Sequence, residues 1–281
     1  MTEDYYSRKY VLFQLLEGCK DREIAFLGNS MAFRGYKAKC IFDIENGLKV
    51  INSAKNRPNS YVSVAKFKNI PVFTFNPKKR RLETSEWFRN NSNEIAGFDL
   101  FFDFDKSASD SWEDLIKEVK TLKEYLDDYK VSYQLLFSGN KGFQIIINGI
   151  FLKIEKIENG NVYPHKTIVE KIKETLDLKF LDLSNNGEKS KLRKLPYSLV
   201  IPNMKNLSVE DIENLTEDEI NVCLPLSDEQ FNNFNLLDMK LTNVLKKVTI
   251  MRRGNLERFS ELSEEEKRGN VEEFIKIFNL K

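Results

Sequence analysis

Three aspartates interrupt an apolar stretch that reads GFDLFFDFD from residue 97 to residue 105, and two of them, Asp103 and Asp105, are only two residues apart. In a β-strand successive side chains point to opposite faces. Asp103 and Asp105 would therefore share one face, and Leu100, Phe102 and Phe104 would lie on the other face. Residues two apart on one strand face are about 6 to 7 Å apart, which lets their carboxylates bind the same metal ions. Because a buried carboxylate without a partner is costly, a bound cation would compensate for both charges. The pair predicts a metal site, and a structural salt bridge is the alternative interpretation.

A glycine-containing turn, SGNKG, follows about thirty residues later. Gly139 and Gly142 would let backbone N–H groups approach an anion, Ser138 offers a hydroxyl group and Lys141 supplies positive charge. As an isolated motif this is an ordinary hairpin turn. If the hairpin lies beside the aspartate strand, however, a triphosphate at the turn could share metal ions with the two carboxylates. That geometry suits two-metal nucleotidyl transfer.

A strand, a helix and two further strands are predicted to position these two motifs. After the aspartate strand, residues 107–129 place apolar side chains on one helical face, with Ser109 or Asp110 as the N-cap. VSYQLLF and FQIII then flank the turn as an antiparallel hairpin. The helical crossover makes the aspartate strand parallel to the first hairpin strand. The sequence predicts an α+β fold with a mixed sheet and helices on one face.

Length and composition indicate a globular protein with a substantial core. The 281 residues are 41% hydrophobic, which suits one large domain or one domain with an appendage. Lysine and arginine number 44 against 43 acidic residues, so an acidic partner would have to meet a local basic patch. No apolar run approaches the roughly 18 residues that span a bilayer, and the N-terminus lacks a signal-peptide layout. A cytoplasmic or nucleoid-associated protein without a membrane partner is expected.

The cysteines and the single histidine narrow the possible chemistry. Cys19, Cys40 and Cys223 include no close pair, which argues against a disulfide framework and against a zinc cluster of the CxxC type. His165 stands in a polar stretch, where we predict an exposed loop residue. No histidine-based catalytic triad follows from it.

Segments outside the centre suggest contacts and boundaries. The basic cluster from residue 78 to residue 81, close to Trp87, suits nucleic acid, and a solvated loop is an equally good interpretation. A second helix is predicted over residues 166–180. Beyond Pro202 the composition becomes acidic. We therefore predict a catalytic domain over residues 1–202 and a mostly helical appendage over residues 203–281.

Six blocks of this sequence resemble, in order, those of the catalytic small subunit of archaeal and eukaryotic DNA primases, within the primase-polymerase superfamily. The resemblance covers roughly residues 5 to 200. The blocks are REIAF (22–26), YVSVAKF (61–67), FDLFFDFD (98–105), LLFSGNKGFQI (135–145), FLDL (180–183) and LRKLPYSL (192–199). The resemblance implies a catalytic core with an RRM-like βαββ centre. It also implies an enzyme that synthesises RNA or DNA primers from nucleoside triphosphates on a single-stranded DNA template.

The resemblance also implies roles for individual residues. The family's three catalytic carboxylates, which bind two Mg²⁺ or Mn²⁺ ions, correspond to Asp103, Asp105 and Asp182. Residues that would contact the nucleotide are Ser138, Gly139, Lys141, Gln144, Arg193, Lys194 and Ser198. Arg22 and Arg34 are predicted contacts to the nucleotide or the template. A large primase subunit or a helicase is a further partner that the resemblance leaves open.

Three departures from the family pattern bear on activity. Gln144 stands where the family has a histidine, and Val200 stands where a second histidine is expected. Glutamine can hydrogen-bond a phosphate oxygen but cannot supply positive charge. No Cys or His cluster matches the zinc module of these primases, so no zinc is expected. A divergent relative, with activity that is weakened, altered or lost, fits these departures.

Two alternatives remain at this point. FFDFDKS resembles the nucleophile strand of haloacid-dehalogenase-type phosphatases, with Asp103 as nucleophile, Asp105 as acid and base, and Ser107 completing the motif. That alternative leaves the other five blocks unexplained. The second alternative is a primase-like module that binds nucleic acid without catalysis. The three carboxylates argue against it, because their mutual repulsion would be uncompensated without metal ions.

Overall fold

The computed structural model describes residues 5–27, 32–52, 59–73, 77–184, 187–203, 206–246 and 257–277. Its strands are β1 (Ile24–Leu27), β2 (Ala32–Tyr36), β3 (Asn59–Ser63), β4 (Ala65–Phe67), β5 (Ile95–Phe98), β6 (Leu100–Asp105), β7 (Gln134–Phe137), β8 (Gly142–Ile147), β9 (Lys156–Glu158), β10 (Asn161–Tyr163), β11 (Leu192–Lys194), β12 (Leu199–Val200), β13 (Asn221–Val222) and β14 (Leu224–Pro225). Its α-helices are α1 (Lys9–Gly18), α2 (Ile41–Asn52), α3 (Pro77–Asn90), α4 (Trp112–Asp128), α5 (His165–Thr175), α6 (Val209–Glu213), α7 (Asp228–Asn232), α8 (Leu241–Lys246) and α9 (Glu264–Lys276). Short 3-10 helices cover Ser92–Glu94, Glu217–Glu219 and Leu236–Met239.

The central sheet has the strand order β14-β7-β8-β6 and confirms the predicted hairpin. β8 lies between β7 and β6 and is antiparallel to both. The aspartate strand β6 and the first hairpin strand β7 therefore run in the same direction, as predicted, although they are not hydrogen-bonded to each other. The hairpin lies directly beside the aspartate strand, with Asp103 opposite Gln144 and Asp105 opposite Gly142.

Apolar side chains on both faces of β6 pack into buried clusters. Phe102 and Phe104 are fully buried in the main core, into which helix α4 also inserts its apolar face. Phe101 points the other way, into a smaller apolar cluster with Leu136 and Ile146. A large apolar side chain of this kind stabilises the fold by about 1.5 to 3 kcal/mol when it is fully buried. The two aspartates share the face of Phe101, as the strand alternation predicted.

Two local predictions around this strand were wrong in detail. The stretch from residue 97 to residue 105 is not one strand, because the backbone leaves the ladder at Asp99 and divides it into β5 and β6. The N-cap of α4 is Ser111, and neither Ser109 nor Asp110 takes that position. The Ser111 hydroxyl oxygen accepts a hydrogen bond from the backbone N–H of Asp114 at 3.0 Å.

A second sheet, with the order β11-β3-β1-β2, carries the other predicted contact residues. β11 pairs antiparallel with β3, which sets Lys194 opposite Tyr61 and Arg193 opposite Val62. β4 pairs with β5 and so connects this region to the chain that leads into the aspartate strand. The second sheet thus carries Arg34, Arg193 and Lys194, whereas Asp103, Asp105 and Gln144 lie on the central sheet.

The chain after residue 202 joins the same structure. β14 adds to the edge of the central sheet through pairing with β7, and β13 pairs with β12. The Phe274 ring of α9 contacts the rings of Tyr125 and Tyr129 on and just after α4. The division of the chain at residue 202 stays a prediction.

Three further sequence predictions can be compared with the structure. His165 is 1% exposed and is the first residue of α5, so the predicted exposed loop histidine was wrong. Burial lowers the pKa of His165 to about 4. The basic segment is helix α3 and not a loop, and Trp87 packs edge-on against Phe67 at 5.5 Å between ring centroids. Within the described part of the chain, no helix combines the length and apolarity that crossing a membrane requires.

Candidate metal and nucleotide site

Asp103, Asp105 and Asp182 come together at the end of the central sheet. Each offers one carboxylate oxygen, and these three oxygens lie within 4.8 Å of one another. All three side chains are partly exposed, so the group opens to solvent. Three carboxylates at this separation form an oxygen-rich site of the kind that Mg²⁺ and Mn²⁺ prefer.

Backbone hydrogen bonds to the aspartate strand position Asp182. Its N–H donates to the carbonyl oxygen of Asp103 at 2.8 Å, and the N–H of Asp105 donates to the carbonyl oxygen of Phe180 at 3.0 Å. Residues 180–182 thus line the edge of β6 that β8 leaves free. The Asp182 carboxylate then accepts hydrogen bonds from the backbone N–H and the hydroxyl group of Ser184, at 2.7 and 2.6 Å.

The electrostatics of the three carboxylates differ. Burial, followed by the negative charge of Asp105, raises the pKa of Asp103 to about 6. Burial would also raise the pKa of Asp182, but hydrogen bonds from Ser184 and the charge of Lys191 outweigh burial and lower that pKa. The raised pKa of Asp103 indicates that the cationic side chains nearby do not fully compensate its negative charge. A site that binds a metal cation is expected to have this property.

The turn of residues 138–142 lies against the aspartate strand. A Cβ atom at Gly142 would lie 1.7 Å from the carbonyl oxygen of Phe104, so no larger residue fits there. Gly139 has φ +85°, and a Cβ there would lie 2.4 Å from the side chain of Val200. Val200, where the resemblance predicted a histidine, therefore packs against the turn. The Ser138 N–H closes the turn on the carbonyl oxygen of Gly142 at 2.9 Å.

Lys141 and Gln144 both contact the metal carboxylates directly. The Lys141 Nζ lies 2.9 Å from Asp105 Oδ2, and this ion pair raises the pKa of Lys141. The Gln144 Nε2 donates to Asp103 Oδ1 at 3.1 Å. The Gln144 Oε1 is buried and has no hydrogen-bond partner among the described residues. Gln144 thus orients Asp103, a contact that sequence reasoning had not assigned to it.

The remaining predicted contact residues lie outside this group. Lys194 donates to the Tyr61 hydroxyl at 2.8 Å and lies 4.2 Å from the centroid of its ring. Arg34 forms an ion pair with Glu23 at 2.7 Å. Ser198 is buried, and its hydroxyl group donates to the carbonyl oxygen of Ser60 at 3.3 Å. Their predicted contacts to nucleotide or template stay predictions.

Arg22 and Arg193 converge on a different carboxylate, that of Asp99. Arg22 Nη2 lies 2.8 Å and Arg193 Nε 3.6 Å from its two oxygens, and all three side chains are buried. Burial would raise the pKa of Asp99, but the charges of Arg22 and Arg193 outweigh burial and lower it. The structure therefore separates these two arginines from the residues around the metal carboxylates.

Sequence reasoning missed Lys191. Its charge opposes the rise in the pKa of Asp103 and helps to lower the pKa of Asp182, and its Nζ lies 3.4 Å from the carbonyl oxygen of Ser184. The only sequence signal was a pair of lysines, Lys189 and Lys191, between the third aspartate and β11, and no periodicity distinguishes one from the other. Ser184 could have been found, because a serine two residues after an aspartate commonly hydrogen-bonds it.

Comparison with known proteins supports this fold. One solved structure that matches is the polymerase domain from Mycobacterium tuberculosis Ligase D in complex with DNA, with 16% sequence identity and a TM-score of 0.51. The match covers 89% of this chain and 91% of that chain. The chain shares the fold of that polymerase domain. No protein-family model and no curated protein matches the sequence.

The comparison confirms the predicted α+β fold class. It does not support the narrower resemblance to the small subunit of archaeal and eukaryotic primases, because the matched domain belongs to a ligase. At 16% identity the likeness extends to the fold alone.

Proposed function

We propose that the chain is a metal-dependent nucleotidyltransferase that synthesises primers on a single-stranded DNA template. The observation that supports this proposal most directly is the group of three carboxylate oxygens within 4.8 Å on a primase-polymerase fold. The substrates would be nucleoside triphosphates. A partnership with a large primase subunit or a helicase stays a prediction.

The donor set fits divalent cations. Asp103, Asp105 and Asp182 provide only oxygen ligands, which suits Mg²⁺ or Mn²⁺. The raised pKa of Asp103 indicates a site where a bound cation would relieve the repulsion between carboxylates. Two such ions, when bound, would activate the primer 3′-hydroxyl group and neutralise the charge of the triphosphate.

The chain's own groups would orient the reactants. The flexible, half-exposed Lys141 would exchange its contact with Asp105 for the triphosphate once cations neutralise that carboxylate. Backbone N–H groups around Gly139 would lie against the phosphate oxygens. Gln144 would hold the Asp103 carboxylate in one orientation through its Nε2, and Lys194 would supply a further cation.

DNA as the template is proposed from two observations. The matched polymerase domain was solved in complex with DNA. The described helix α3 also begins with a run of basic residues, PKKRR, which suits a polyanion. Sequence reasoning left nucleic-acid contact and solvation equally open for this segment, and its helical conformation is compatible with contact along a DNA backbone.

A binding module without catalysis is the second candidate, because both Lys141 and Gln144 are engaged by the carboxylates. If those contacts persist when nucleotide is present, the triphosphate loses two of its proposed ligands. The phosphatase alternative gains nothing from the fold comparison. It also gives no role to the third carboxylate, Asp182, which lies with the aspartate pair.

The deciding experiment incubates the pure protein with a single-stranded template, labelled nucleotides and Mn²⁺, beside Asp103→Asn and Gln144→His variants. We expect incorporation by the wild type, none by Asp103→Asn and faster incorporation by Gln144→His. A charge-assisted hydrogen bond restored by histidine is worth about 1.5 to 3 kcal/mol, or roughly tenfold to a hundredfold. Calorimetry of nucleotide binding accompanies these assays. If the wild type and Gln144→His bind nucleotide but neither incorporates it, the binding module is favoured. If neither protein shows metal-dependent nucleotide binding, the polymerase is excluded.

A further inference from the structure

A cavity lies on the same sheet face as Asp103 and Asp105 but farther along the strands. Its volume is about 350 Å³, and its walls include Gln134, Ile146 and Asn148. Ile146 is opposite both Phe101 and Gln134 in the ladders, so this wall continues the face that carries Asp103. Asp99, at the floor, is four residues before Asp103, which corresponds to about 13 Å along an extended chain. The cavity is therefore separate from the metal site.

The floor of this cavity is the buried group of Arg22, Asp99 and Arg193. Arg22 is held by both terminal nitrogens, because Nη1 donates to the carbonyl oxygens of Ser63 and Val64 and Nη2 donates to Asp99. Asp99 Oδ1 also accepts from the N–H of Gly149 at 2.9 Å. These contacts fix one arginine and one carboxylate oxygen as the rigid base of the cavity.

Arg193 is far less well satisfied. It is 5% exposed, yet its Nε has no hydrogen-bond partner among the described residues. Its Nη1 makes a long bond of 3.4 Å to the carbonyl oxygen of Lys194, and the nearest Asp99 oxygen lies 3.6 Å from Nε. The facing oxygen, Asp99 Oδ2, also has no hydrogen-bond partner among the described residues, because it is too far from Arg193 Nε for a hydrogen bond. A guanidinium carries five N–H donors, and Arg193 lines the cavity, so its unpaired N–H group is available to an acceptor that enters there.

The inner charges of the cavity are unbalanced. Arg22, Arg193 and the half-buried Lys66 supply three positive charges against the single carboxylate of Asp99. Burial, followed by the nearby charge of Arg22, lowers the pKa of Lys66. The other acidic side chains lie at the rim. Glu17 and Asp21 are exposed, and Glu257 is engaged by Lys267 and Ser132. An anion entering the cavity would therefore meet net positive charge at its floor.

We propose that this cavity binds a phosphate group through Arg193 and Lys66, with Arg22 and Asp99 as its rigid base. The planar guanidinium matches two phosphate oxygens, and the lysine contributes a point charge. The phosphate belongs either to a nucleic-acid strand or to a free phosphate compound. The strand source rests on the proposed function, whereas binding of phosphate itself does not.

The test titrates inorganic phosphate into the full chain by calorimetry, with EDTA present so that metal ions play no part. We expect saturable binding with one phosphate per chain. Lys66→Gln and Arg193→Lys should each weaken it about tenfold or more, since each removes a charge-assisted or bidentate contact. Lys68→Gln is the matched control. Lys68 is exposed, and its Nζ donates to the carbonyl oxygen of Asn93, outside the cavity.

Thermal melting of each variant reports whether it is folded. Absence of saturable phosphate binding to the wild type would overturn the proposal. So would equal weakening in Lys66→Gln and Lys68→Gln. An affinity that responds to Asp103→Asn and not to Lys66→Gln would assign the anion to the metal site and would also overturn it.

Competition identifies the source of the phosphate. Single-stranded oligonucleotides with and without a terminal phosphate are bound in the presence of increasing free phosphate. If free phosphate displaces both oligonucleotides equally, the site binds a backbone phosphate. If the phosphorylated oligonucleotide binds more strongly, and Lys66→Gln removes that advantage, the site binds a terminal phosphate. Free phosphate that binds without displacing either strand supports a free phosphate compound. An Asp103→Asn protein that binds phosphate normally but incorporates no nucleotide separates this site from the polymerase reaction.

Discussion

Two carboxylates four residues apart, Asp99 and Asp103, have opposite electrostatic environments in the same fold. Asp99 is completely buried and lies between two arginines, whose charges lower its pKa below the usual value. Asp103 is partly exposed and lies beside two further aspartates, and burial together with Asp105 raises its pKa to about 6. One carboxylate is neutralised by the protein, and the other is not.

This difference separates a structural carboxylate from a ligand-binding one. A buried ion pair whose partners are fixed by further hydrogen bonds contributes to the folded state, and removing one partner leaves an uncompensated charge. Three clustered carboxylates with few cations nearby destabilise the free protein and are stabilised when a cation binds. The residue type is the same, and the neighbours decide the role.

The largest expected effect is on catalysis, at Asp103. Asp103→Asn should abolish metal-dependent incorporation, because charge stabilisation by bound metal ions is worth several kcal/mol and its loss lowers the rate by about a thousandfold or more. The same variant should melt at or above the wild-type temperature without metal, since it removes repulsion. Incorporation close to the wild-type rate would remove Asp103 from the metal site.

The next effect is on stability, at Asp99. Asp99→Asn should lower the free energy of unfolding by about 3 to 5 kcal/mol, because both buried arginines lose their counter-charge. Denaturant unfolding measures this change. Asp128→Asn, on the exposed C-terminal end of α4, is the control and should change stability by less than about 0.5 kcal/mol. A similar small change at Asp99 would mean that the arginines are compensated by other groups.

Metal ions should distinguish the two carboxylates directly. Mn²⁺ at a hundred times its dissociation constant should stabilise the wild type by about 2.7 kcal/mol, because it binds only the folded chain. Asp103→Asn should lose this increment, which thermal melting with and without Mn²⁺ measures. Lys68→Gln should keep it, because Lys68 is exposed and its Nζ donates to the carbonyl oxygen of Asn93. Stabilisation of Asp103→Asn equal to that of the wild type would place the metal elsewhere.

The pH dependence of stability should have opposite signs at the two sites. Without metal, raising the pH from about 4 to about 6 ionises Asp103 later in the folded chain than in the unfolded chain. The wild type should therefore lose between about 1 and 3 kcal/mol of stability relative to Asp103→Asn over this range. The lowered pKa of Asp99 acts the other way, since its stabilisation is present above its ordinary pKa of 3.8 and is lost on further acidification. Parallel unfolding curves for the wild type and Asp103→Asn across this range would contradict the assigned pKa.

Local patterns predicted the aspartate pair, the hairpin and helix α4. The alternation of β6 and the amphipathic period of α4 are carried by neighbouring residues, so the sequence contains them. Sequence patterns alone did not connect Asp182 with the pair, because only backbone bonds between residues distant in the chain bring it to β6. The resemblance to primases supplied that residue, and the structure places its carboxylate beside the other two.

Other features depend on tertiary neighbours that no local pattern contains. His165 follows a polar stretch but is buried against Phe98, with 5.3 Å between ring centroids. The resemblance predicted that Arg22 and Arg193 contact nucleotide or template, and no local pattern indicated their contact with Asp99, which lies 77 and 94 positions away in the chain. Lys191 was missed for the same reason. Charge alone does not reveal which carboxylate an arginine or a lysine will meet.

The smallest expected effect tests whether burial, and not distance, sets the energy of an ion pair. Arg22 and Asp99 are 2.8 Å apart and buried, whereas Lys141 and Asp105 are 2.9 Å apart with the lysine side chain 54% exposed. Lys141→Gln should change the free energy of unfolding by less than about 1 kcal/mol, because water screens an exposed pair and its side chains pay entropy to meet. Denaturant unfolding of Lys141→Gln and Asp99→Asn compares the two ion pairs at nearly equal distances.

The same Lys141→Gln protein should bind nucleotide about tenfold more weakly, since the lysine charge would contact phosphate. A loss of stability as large as that of Asp99→Asn would show that the turn is held by this ion pair, and an unchanged nucleotide affinity would remove Lys141 from the triphosphate site.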